Sequence, residues 1–386
     1  MLSTAPRIGI DISRIATATR TGTEHYTYEL LAALALHDRS TRYTLYCNQP
    51  PAVLPPLGPN FALRRMPFPR LWTHLRLSTE LVVRPPAVLF VPAHVLPLGT
   101  PLRRTMRTVV TIHDLGYLRY PEAHTPAHRL YLRISTLWSA RVATRIIAVS
   151  TATRDDLVRY SGVPADKIAV IHHGLAPRFR PVADPATITA AQARYRIAAA
   201  YFLYVGTVQP RKNLLRLIEA FAQLDESVLQ SATINQSKLQ LVIAGKKGWL
   251  TKTIERRATE LGVAERVRFV GYVADVDLPA LMSGALGFVL PSLYEGFGMP
   301  ILEAMACGAP VLTSTISSLP EVAGDAALLV DPQDTAAITD GLRRLATEPA
   351  LRADLRARGL ARAAEFTWER CAAQTLAVLR GVRLIL

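Results

Sequence analysis

The chain contains 386 residues, half of them hydrophobic, with 45 Lys and Arg against 30 Asp and Glu and a formal net charge of +15. This length predicts two domains, and no apolar run reaches the roughly 18–20 residues of a membrane span or forms a secretory signal at the start. The three cysteines, Cys47, Cys307 and Cys371, share no short spacing, which disfavours a disulfide framework or a cysteine-rich zinc site and favours the cytoplasm.

Short apolar runs alternate with helical stretches through the first half of the chain. Two helices are predicted here: residues 24–37, where apolar side chains recur at helical spacing, and residues 150–162, which begin with Ser and end with Gly. The predicted strands are RIGIDIS (7–13), YTLYC (43–47), VLFVP (88–92), TVVTIHD (108–114), RIIAVS (145–150) and KIAVIHHG (167–174).

A second series of the same kind follows a break at residues 181–185, PVADP. Its strands are YFLYVG (201–206), LQLVIAG (239–245), RVRFVG (266–271), ALGFVLPS (285–292), APVLTS (309–314) and AALLVDP (326–332). Such alternation is typical of α/β domains with buried parallel sheets. We therefore expect two Rossmann-like domains, residues 1–190 and 191–366, with a cleft between them, and a C-terminal helix at 367–386 that packs on the first domain.

The segment YEGFGMPILEAMACGAP (294–310) is predicted to lie at a strand-to-helix junction. Pro300 suits the first helical position, and Gly308 suits the left-handed residue after the helix. The loop before Pro300 then leaves the carboxyl end of a parallel strand, where open α/β sheets bind ligands. Gly296 and Gly298 allow the backbone of this loop to approach a ligand and donate its N–H groups.

Two carboxylates of this segment, Glu295 and Glu303, lie eight residues apart. Glu303 is predicted in the first turn of the helix, where a favourable interaction with the helix dipole explains it equally well. Glu295 lies too far ahead of the helix to cap it. Carboxylates accept hydrogen bonds from vicinal diols, so the pair predicts two bound polyols. A retaining glycosidase is disfavoured, because its two carboxylates flank one sugar from separate elements.

Arg211 and Lys212 follow a predicted strand that ends at Gly206, and they precede Asn213, a good N-cap residue for the next helix. Two cations beside a helix N-terminus are unfavourable for the helix. A bound diphosphate would compensate for them, because a planar guanidinium and a compact ammonium both bind phosphate. A solvated loop is the alternative.

Four further segments, each at or after the end of a predicted strand, carry weaker signals. His113 and Asp114 end a strand, where a His–Asp pair is as readily structural as catalytic. Gly22 precedes a helix and is a weak phosphate-loop signal by itself. The glycine loops that begin at Gly245 and Gly271 are expected on one rim of the second sheet, where they either contact a base or form ordinary turns.

Residues 294–314, YEGFGMPILEAMACGAPVLTS, are similar to the E-x7-E region of the retaining glycosyltransferases of sequence family four. The resemblance extends through GTVQPRKN, AGKKGW, VRFVGYV and SSLPEVAGDAALLVDP, and into the first half with TIHD, IAVSTATRDDL and VIHHG. Nearly the whole chain is covered, most specifically residues 201–332. The resemblance implies an α/β fold of the GT-B type, with two Rossmann-like parallel-sheet domains facing across an interdomain cleft.

The resemblance also implies roles for the residues that match the family's motifs. Glu295 would contact the transferred hexose of a nucleotide-sugar donor, and Glu303 would bind the ribose hydroxyls. His113 would lie near the donor sugar and the reacting centre. Backbone groups of the loop after Glu295 would also contact the hexose, namely those of Gly296, Phe297 and Gly298.

The diphosphate and the base of the donor are assigned to other residues by the same resemblance. Arg211 and Lys212 would neutralise the diphosphate, and the Gly22 loop would contribute from the other domain. Gly271 and Tyr272 would lie near the base.

Two positions depart from the family's usual pattern. Many members carry arginine directly after the glycine equivalent to Gly206, an expected donor-binding residue, where this chain has Thr207. Many also have a double glycine where this chain has Gly22 between threonines. Arg211 is expected to take the role of the missing arginine. The form GT-x-x-PRKN resembles a subset rich in mannosyltransferases, which favours GDP-mannose over UDP-glucose or another UDP-sugar.

The implied reaction is hexose transfer with retention of configuration. Arg211, Lys212 and helix N-termini would stabilise the departing diphosphate without a metal, a cofactor or a protein nucleophile. The departing phosphate would help to deprotonate the acceptor hydroxyl. A nucleotide-sugar epimerase, a phosphorylase and a non-catalytic binding homologue are alternatives, although no motif marks a pyridoxal-phosphate lysine. A periplasmic binding protein would need an export signal.

Nearly all of the positive excess lies in the first half of the chain, since residues 1–195 hold 24 Lys and Arg against 11 Asp and Glu. This half is expected to bind the acceptor, a glycan or lipid diphosphate of surface polysaccharide or glycolipid synthesis. Its charge also favours contact with the inner face of an anionic membrane. An arginine-biased genome explains the charge equally well. Nucleic acid is disfavoured because no basic-aromatic motif appears.

Overall fold

The computed structural model describes residues 7–16, 22–51, 53–120, 125–197, 200–224, 239–248 and 251–382. The chain divides into two compact units. The first combines Met1–Gly174 with Phe366–Leu386, and the second is Leu175–Glu365.

The boundary between the units lies earlier than the expected residue 190. Residues 175–190 belong to the second unit, because local contacts hold this segment there: the Val182 N–H donates to Ser283 Oγ at 3.0 Å. The helix Pro185–Tyr195 also packs on the helix Leu278–Ser283. The Pro-containing break at 181–185 is thus a part of the second unit rather than a linker between the two.

The first unit contains, in the described residues, a seven-stranded parallel sheet of strand order β3-β2-β1-β4-β5-β6-β7. The strands are β1 (Arg7–Asp11), β2 (Arg42–Cys47), β3 (Phe61–Arg65), β4 (Val88–Val91), β5 (Arg107–Ile112), β6 (Arg145–Ala148) and β7 (Ile168–Val170). All six predicted strands are confirmed. β3 was not predicted, because this edge strand is largely exposed and its sequence, FALRR, has an apolar run of only three residues.

The second unit repeats this architecture with six parallel strands in its described residues, in the order β10-β9-β8-β11-β12-β13. The strands are β8 (Tyr201–Val205), β9 (Gln240–Ala244), β10 (Val267–Gly271), β11 (Gly287–Leu290), β12 (Val311–Ser314) and β13 (Ala327–Val330). Counted within the unit, the order is the 3-2-1-4-5-6 of dinucleotide-binding domains, whose ligands bind outside the carboxyl ends of the strands. All six predicted strands are confirmed.

Helices connect the strands of both sheets, and none in the described residues is long and apolar enough to cross a bilayer. They are α1 (Gly22–His37), α2 (Ser78–Val83), α3 (Gly116–Arg119), α4 (Pro126–Val142), α5 (Thr151–Ser161), α6 (Pro185–Tyr195), α7 (Leu214–Ala222), α8 (Thr251–Glu260), α9 (Leu278–Ser283), α10 (Met299–Ala306), α11 (Leu319–Ala323), α12 (Thr335–Thr347), α13 (Pro349–Ala363) and α14 (Trp368–Gly381).

Both faces of the first sheet are covered, as the continuous apolar strands predict. In β4, Val88 and Phe90 join one core cluster, which includes side chains of α1 and α14. Leu89 joins a second cluster with side chains of α4 and α5. Alternate residues of one strand therefore pack on opposite faces, with α1 and α4 on different sides of the sheet.

The C-terminal helix α14 lies in the first unit and packs on α1. Arg380 Nη2 lies 3.3 Å from the Asp38 Oδ1 carboxylate oxygen, which is buried at the end of α1. At the other end of α14 the chain passes so close to Gly174 that a Cβ atom there would overlap the backbone of Trp368 and Thr367. This packing therefore requires a residue without a side chain at position 174.

We predict that Gly174→Ala lowers the melting temperature of the protein markedly, because the added methyl group meets rigid backbone rather than a flexible side chain. Overpacking of this kind typically costs about 1–3 kcal/mol. Gly381→Ala, at the far end of α14 with open space around it, is the matched control and should melt at or slightly above the wild-type temperature. Equal melting temperatures for Gly174→Ala and the wild type would contradict the close packing.

Candidate active site

Three glycines meet at the carboxyl ends of neighbouring strands in the second unit. The N–H of Gly206, after β8, donates to the Ala244 carbonyl at 2.9 Å, and the N–H of Gly245, after β9, donates to the Gly271 carbonyl at 2.7 Å. A Cβ atom at Gly245 would overlap the carbonyl of Gly206, and Gly271 has a φ of 72°. These loops therefore pack backbone against backbone on one rim. The donor-binding roles of Gly206 and Gly271 stay predictions.

The short turn Pro210–Lys212 follows on the same rim and leads into α7. Asn213 occupies the N-cap position of α7, as expected, but it has a φ of 62° and its side chain makes no cap hydrogen bond. Instead its Nδ2 donates to the carbonyls of Pro291 at 3.0 Å and Pro332 at 2.6 Å. Asn213 thus ties this turn to the segments that follow β11 and β13.

Both cations of this turn contact one carboxylate, that of Glu295. Arg211 Nη1 lies 3.2 Å from Glu295 Oε2, and Lys212 Nζ donates to Glu295 Oε1. Ser292 Oγ donates to the same Oε1 at 2.8 Å. Glu295 and Lys212 are both buried. A buried carboxylate persists only with such partners, since desolvation of an unpaired charge is far too costly.

The electrostatics of this ion cluster follow from its composition. Burial by itself raises the pKa of Glu295, but the positive charges of Lys212 and Arg211 outweigh burial and hold that pKa below its ordinary value. Glu295 is therefore ionised at neutral pH. One carboxylate between two cations leaves the cluster with a net charge of about +1. The Glu295 carboxylate therefore supplies part of the negative charge that was predicted to come from a bound diphosphate. The remaining positive charge of the cluster can interact with an anionic ligand.

The backbone of Glu295 is held by hydroxyl groups from the loop after β12. Ser317 Oγ accepts from the Glu295 N–H at 3.1 Å and donates to the Glu295 carbonyl at 2.6 Å. Ser318 Oγ donates to the same carbonyl at 2.9 Å. Sequence reasoning missed Ser292, Ser317 and Ser318. The sequence offered one signal for them, serines at or shortly after the ends of predicted strands, and this signal does not distinguish a site from a solvated turn.

The loop after Glu295 leads directly into α10. Gly298 is the N-cap residue of this helix with a φ of 101°, a conformation that favours glycine. Phe297 is buried, so its side chain belongs to the core and any contact with a ligand falls to its backbone. Pro300 lies at the start of α10 and Gly308 has a φ of 74° after its end, as predicted.

Glu303 lies in the second turn of α10 rather than in the first, because the helix begins at Met299. The proposed dipole interaction is correspondingly weaker, since it falls off within the first turn. The carboxyl is half-buried, and no Lys or Arg of the described residues lies within ion-pair distance. Burial raises its pKa to about 8, with the Asp275 charge adding to this effect and Arg178 opposing it. Glu303 is therefore largely protonated at neutral pH.

Tyr272 follows Gly271 and is 60% exposed. Its hydroxyl donates to Asp275 Oδ1 at 3.1 Å, and Lys246 Nζ lies 5.8 Å from the centre of its ring. Arg178 Nη2 lies 3.8 Å from Asp275 Oδ2. An open aromatic face beside a cation is suited to stacking with a planar ligand, and Lys246, Asp275 and Arg178 were not singled out by the sequence.

His113 lies in the first unit, at the end of β5, and belongs to a buried group of aromatic rings. Its ring centre is 4.8 Å from that of Tyr26 and 5.6 Å from that of His173. Burial, together with the neighbouring His94, lowers the pKa of His113 to about 4. Its Nε2 carries the proton, because it lies 2.9 Å from the carbonyl of Pro92, which can only accept. His113 is thus neutral at pH 7.

Gly22 is the first residue of α1 and is exposed, with open space around its Cα atom. The loop before it, residues 17–21, lies outside the described residues. The predicted contribution of this loop to phosphate binding therefore stays a prediction, as does the catalytic role of His113.

The raised pKa of Glu303 makes a prediction about stability. Between about pH 4.5 and pH 8 the carboxyl ionises in the unfolded chain but not in the folded one, so stability is lost as the pH rises through this window. Glutamine does not ionise, so Glu303→Gln should not lose stability in this way. Its melting temperature should match the wild type at pH 5 and exceed it at pH 8.5 by at least about 2–4 °C, the shift that 1 kcal/mol produces in a unit of this size.

Differential scanning fluorimetry across this pH range measures the difference. The exposed Glu265→Gln is the control and should follow the wild-type pH profile. A constant offset between Glu303→Gln and the wild type from pH 5 to pH 8.5 would show that the Glu303 carboxyl titrates normally.

Comparison with known proteins identifies two family matches that together span most of the chain. Residues 193–362 match the family described as Glycosyl transferases group 1, and residues 20–179 match Glycosyltransferase Family 4. The first match contains the ion cluster and Glu303, and the second contains His113. The motifs that carried the resemblance thus lie within the matched segments.

Individual proteins agree with the family matches. The O-antigen chain mannosyltransferase B of Escherichia coli is 37% identical over 278 residues, which cover 71% of this chain and 70% of that protein. The serotype-specific mannosyltransferase WbdA of Escherichia coli is 31% identical over 269 residues, covering 68% of this chain but 32% of the relative. The solved structure of sucrose-phosphate synthase from Thermosynechococcus elongatus matches with a TM-score of 0.76 at 25% identity, covering 99% of this chain and 100% of that one. The chain therefore belongs to the retaining glycosyltransferases of sequence family four and has their GT-B fold.

Proposed function

We propose that this glycosyltransferase moves mannose from GDP-mannose to a hydroxyl group of a glycan or lipid-linked acceptor in the synthesis of surface polysaccharide or glycolipid. The observation that carries the proposal is the buried ion cluster of Glu295, Arg211 and Lys212, whose residual positive charge suits a diphosphate. The choice of mannose is supported by the names of the two relatives from Escherichia coli.

The chemistry of the leaving group explains why two cations are needed. Cleavage of the anomeric C–O bond places negative charge on the departing diphosphate. Arg211 and Lys212 stabilise this charge from fixed positions, because Glu295 already holds both side chains before the donor arrives. Preorganised charge of this kind requires little rearrangement during the reaction. We propose that no metal ion takes part.

Glu295 and Glu303 bind different parts of the donor in this proposal. Glu295 is an ionised acceptor whose backbone is held still, and it receives hydrogen bonds from the hexose hydroxyls. Glu303 is protonated near pH 7, so it both donates and accepts, which suits the vicinal hydroxyls of a ribose. Tyr272 supplies an open aromatic face for the base.

A donor panel tests the proposed reaction. Purified protein is incubated with GDP- and UDP-hexoses and candidate acceptors, and we expect transfer from GDP-mannose. Lys212→Met and Arg211→Ala should each lower kcat/KM by about 10²–10³-fold, as expected for lost stabilisation of a leaving group. Arg256→Ala removes an exposed cation that pairs with Glu260, and it should leave kcat/KM unchanged.

Two results would overturn the proposal. One is the absence of both transfer and binding for every donor. The other is full activity of folded Lys212→Met and Arg211→Ala proteins, with folding checked by circular dichroism. A preference for a UDP-sugar would support the transferase activity but would show that the donor is not GDP-mannose.

We further propose that the first unit contacts an anionic membrane, where a lipid-linked acceptor would lie. The basic excess of residues 1–195 supports this. On α4, three large apolar side chains are exposed, Leu130, Tyr131 and Ile134, and Arg129 and Arg133 are exposed beside them. Apolar side chains that enter the interface, together with arginines that contact lipid phosphates, are typical of peripheral attachment.

Vesicle sedimentation tests the membrane contact. Ile134→Glu should reduce binding to vesicles that contain anionic lipid, and binding of the wild type should weaken as salt rises. Leu36→Glu replaces an equally exposed side chain on α1, on the other side of the sheet, and should bind like the wild type. Equal binding of the wild type to neutral and anionic vesicles would contradict the proposal.

A further inference from the structure

Ser317, in the loop between β12 and α11, has a backbone conformation that serine rarely adopts. Its φ is 63°, and among the described non-glycine residues it shares a positive φ with Leu71, Arg196 and Asn213. Glycine takes this conformation without steric strain, whereas a residue with a Cβ atom is held there only by its surroundings. The presence of serine at such a position indicates that its hydroxyl group is needed.

The hydroxyl of Ser317 forms hydrogen bonds with both backbone groups of Glu295. It accepts from the N–H of Glu295 and donates to the carbonyl of the same residue. Ser318 Oγ adds a second hydrogen bond to that carbonyl. A side chain 22 residues away along the chain therefore restricts the φ and ψ of Glu295, independently of the ion pairs at its carboxylate.

The hydrogen bonds to the Glu295 carbonyl also affect the next residue, Gly296. A peptide unit is planar, and in its trans form the carbonyl of one residue points away from the N–H of the next. Two hydroxyls that hold the Glu295 carbonyl thereby set the direction of the Gly296 N–H. Glycine has wide conformational freedom, so loss of these bonds removes a restraint on the orientation of the 295–296 peptide.

We propose that Ser317 is a positioning residue that fixes the orientation of the Glu295–Gly296 peptide and so determines which hexose the enzyme accepts. This inference rests on the proposed function, in which Glu295 and the backbone of the loop after it contact the hydroxyls of the transferred sugar. Epimers differ in the direction of one hydroxyl. A site that holds its hydrogen-bonding groups rigidly discriminates between them, whereas a site that can rotate adapts to both.

The experiment compares Ser317→Gly with Ser317→Ala and Ser317→Thr. The readout is the ratio of kcat/KM for the preferred nucleotide-hexose to that for its C2 epimer, for example GDP-mannose against GDP-glucose. Ser317→Gly relieves the backbone strain and loses the hydroxyl, so it should melt no lower than the wild type while the ratio falls about tenfold, the equivalent of one hydrogen bond. Ser317→Ala should lose the same discrimination and melt lower.

The two remaining variants separate positioning from stability. Ser317→Thr keeps the hydroxyl but adds a branch in a strained conformation, so it should melt lower and retain the wild-type ratio. Arg196→Gly relieves the same kind of strain at the end of α6, away from Glu295, and should raise stability without changing the ratio. The inhibition constant of free nucleoside diphosphate should be unchanged in all variants, because Ser317 contacts the backbone of Glu295 and not the carboxylate that pairs with Arg211 and Lys212.

The outcomes distinguish this inference from the proposed function. A wild-type enzyme that transfers sugar, together with an unchanged ratio in Ser317→Gly, overturns the role of Ser317 and leaves the proposed function intact. A ratio that follows melting temperature across the variants, falling in Ser317→Thr as well, assigns Ser317 a merely structural role. A wild-type protein that transfers no hexose overturns both.

Discussion

The buried contact of Glu295 with Arg211 and Lys212 is the constraint on which the site depends. A carboxylate removed from water is stable only beside cations, and the two cations in turn need an anion next to a helix start. Because the partners come from separate segments, the contact joins the turn after β8 to the loop after β11. Asn213 and the serines after β12 extend the same network. The charges are thereby held in place by contacts within the protein.

The two glutamates of one short motif have opposite electrostatic states. Glu295 has cations within ion-pair distance and a lowered pKa, whereas Glu303 is half-buried on α10 and has a pKa raised to about 8. Spacing alone suggested two equivalent hydroxyl binders. In the structure one of them is ion-paired with the two cations that we propose bind the diphosphate, and the other is a neutral group that can both donate and accept hydrogen bonds.

Backbone conformation also shapes this site. Gly206, Gly245 and Gly271 allow three loops to pack against each other on one rim. Asn213 and Ser317 adopt positive φ values, and each uses its side chain to hold another segment. Strain of this kind is retained where surrounding contacts over-determine the conformation. The loops of the site are therefore shaped by specific hydrogen bonds rather than by local preference.

The sequence by itself determined the elements and their order, because apolar runs, helix starts and glycine stops act over a few residues. It also singled out Glu295, Arg211 and Lys212 from their places at strand ends, and the structure brings these three side chains into contact. It did not reveal β3, an exposed edge strand with an apolar run of only three residues, nor that residues 175–190 join the second unit. Tertiary structure alone decided which charges pair, which glutamate is protonated and what Ser317 binds. These properties depend on burial and on contacts between residues such as Glu295 and Ser317 or Arg211 and Glu295, which lie 22 and 84 positions apart in the sequence. Patterns within a few neighbouring residues cannot predict which distant residues come into contact.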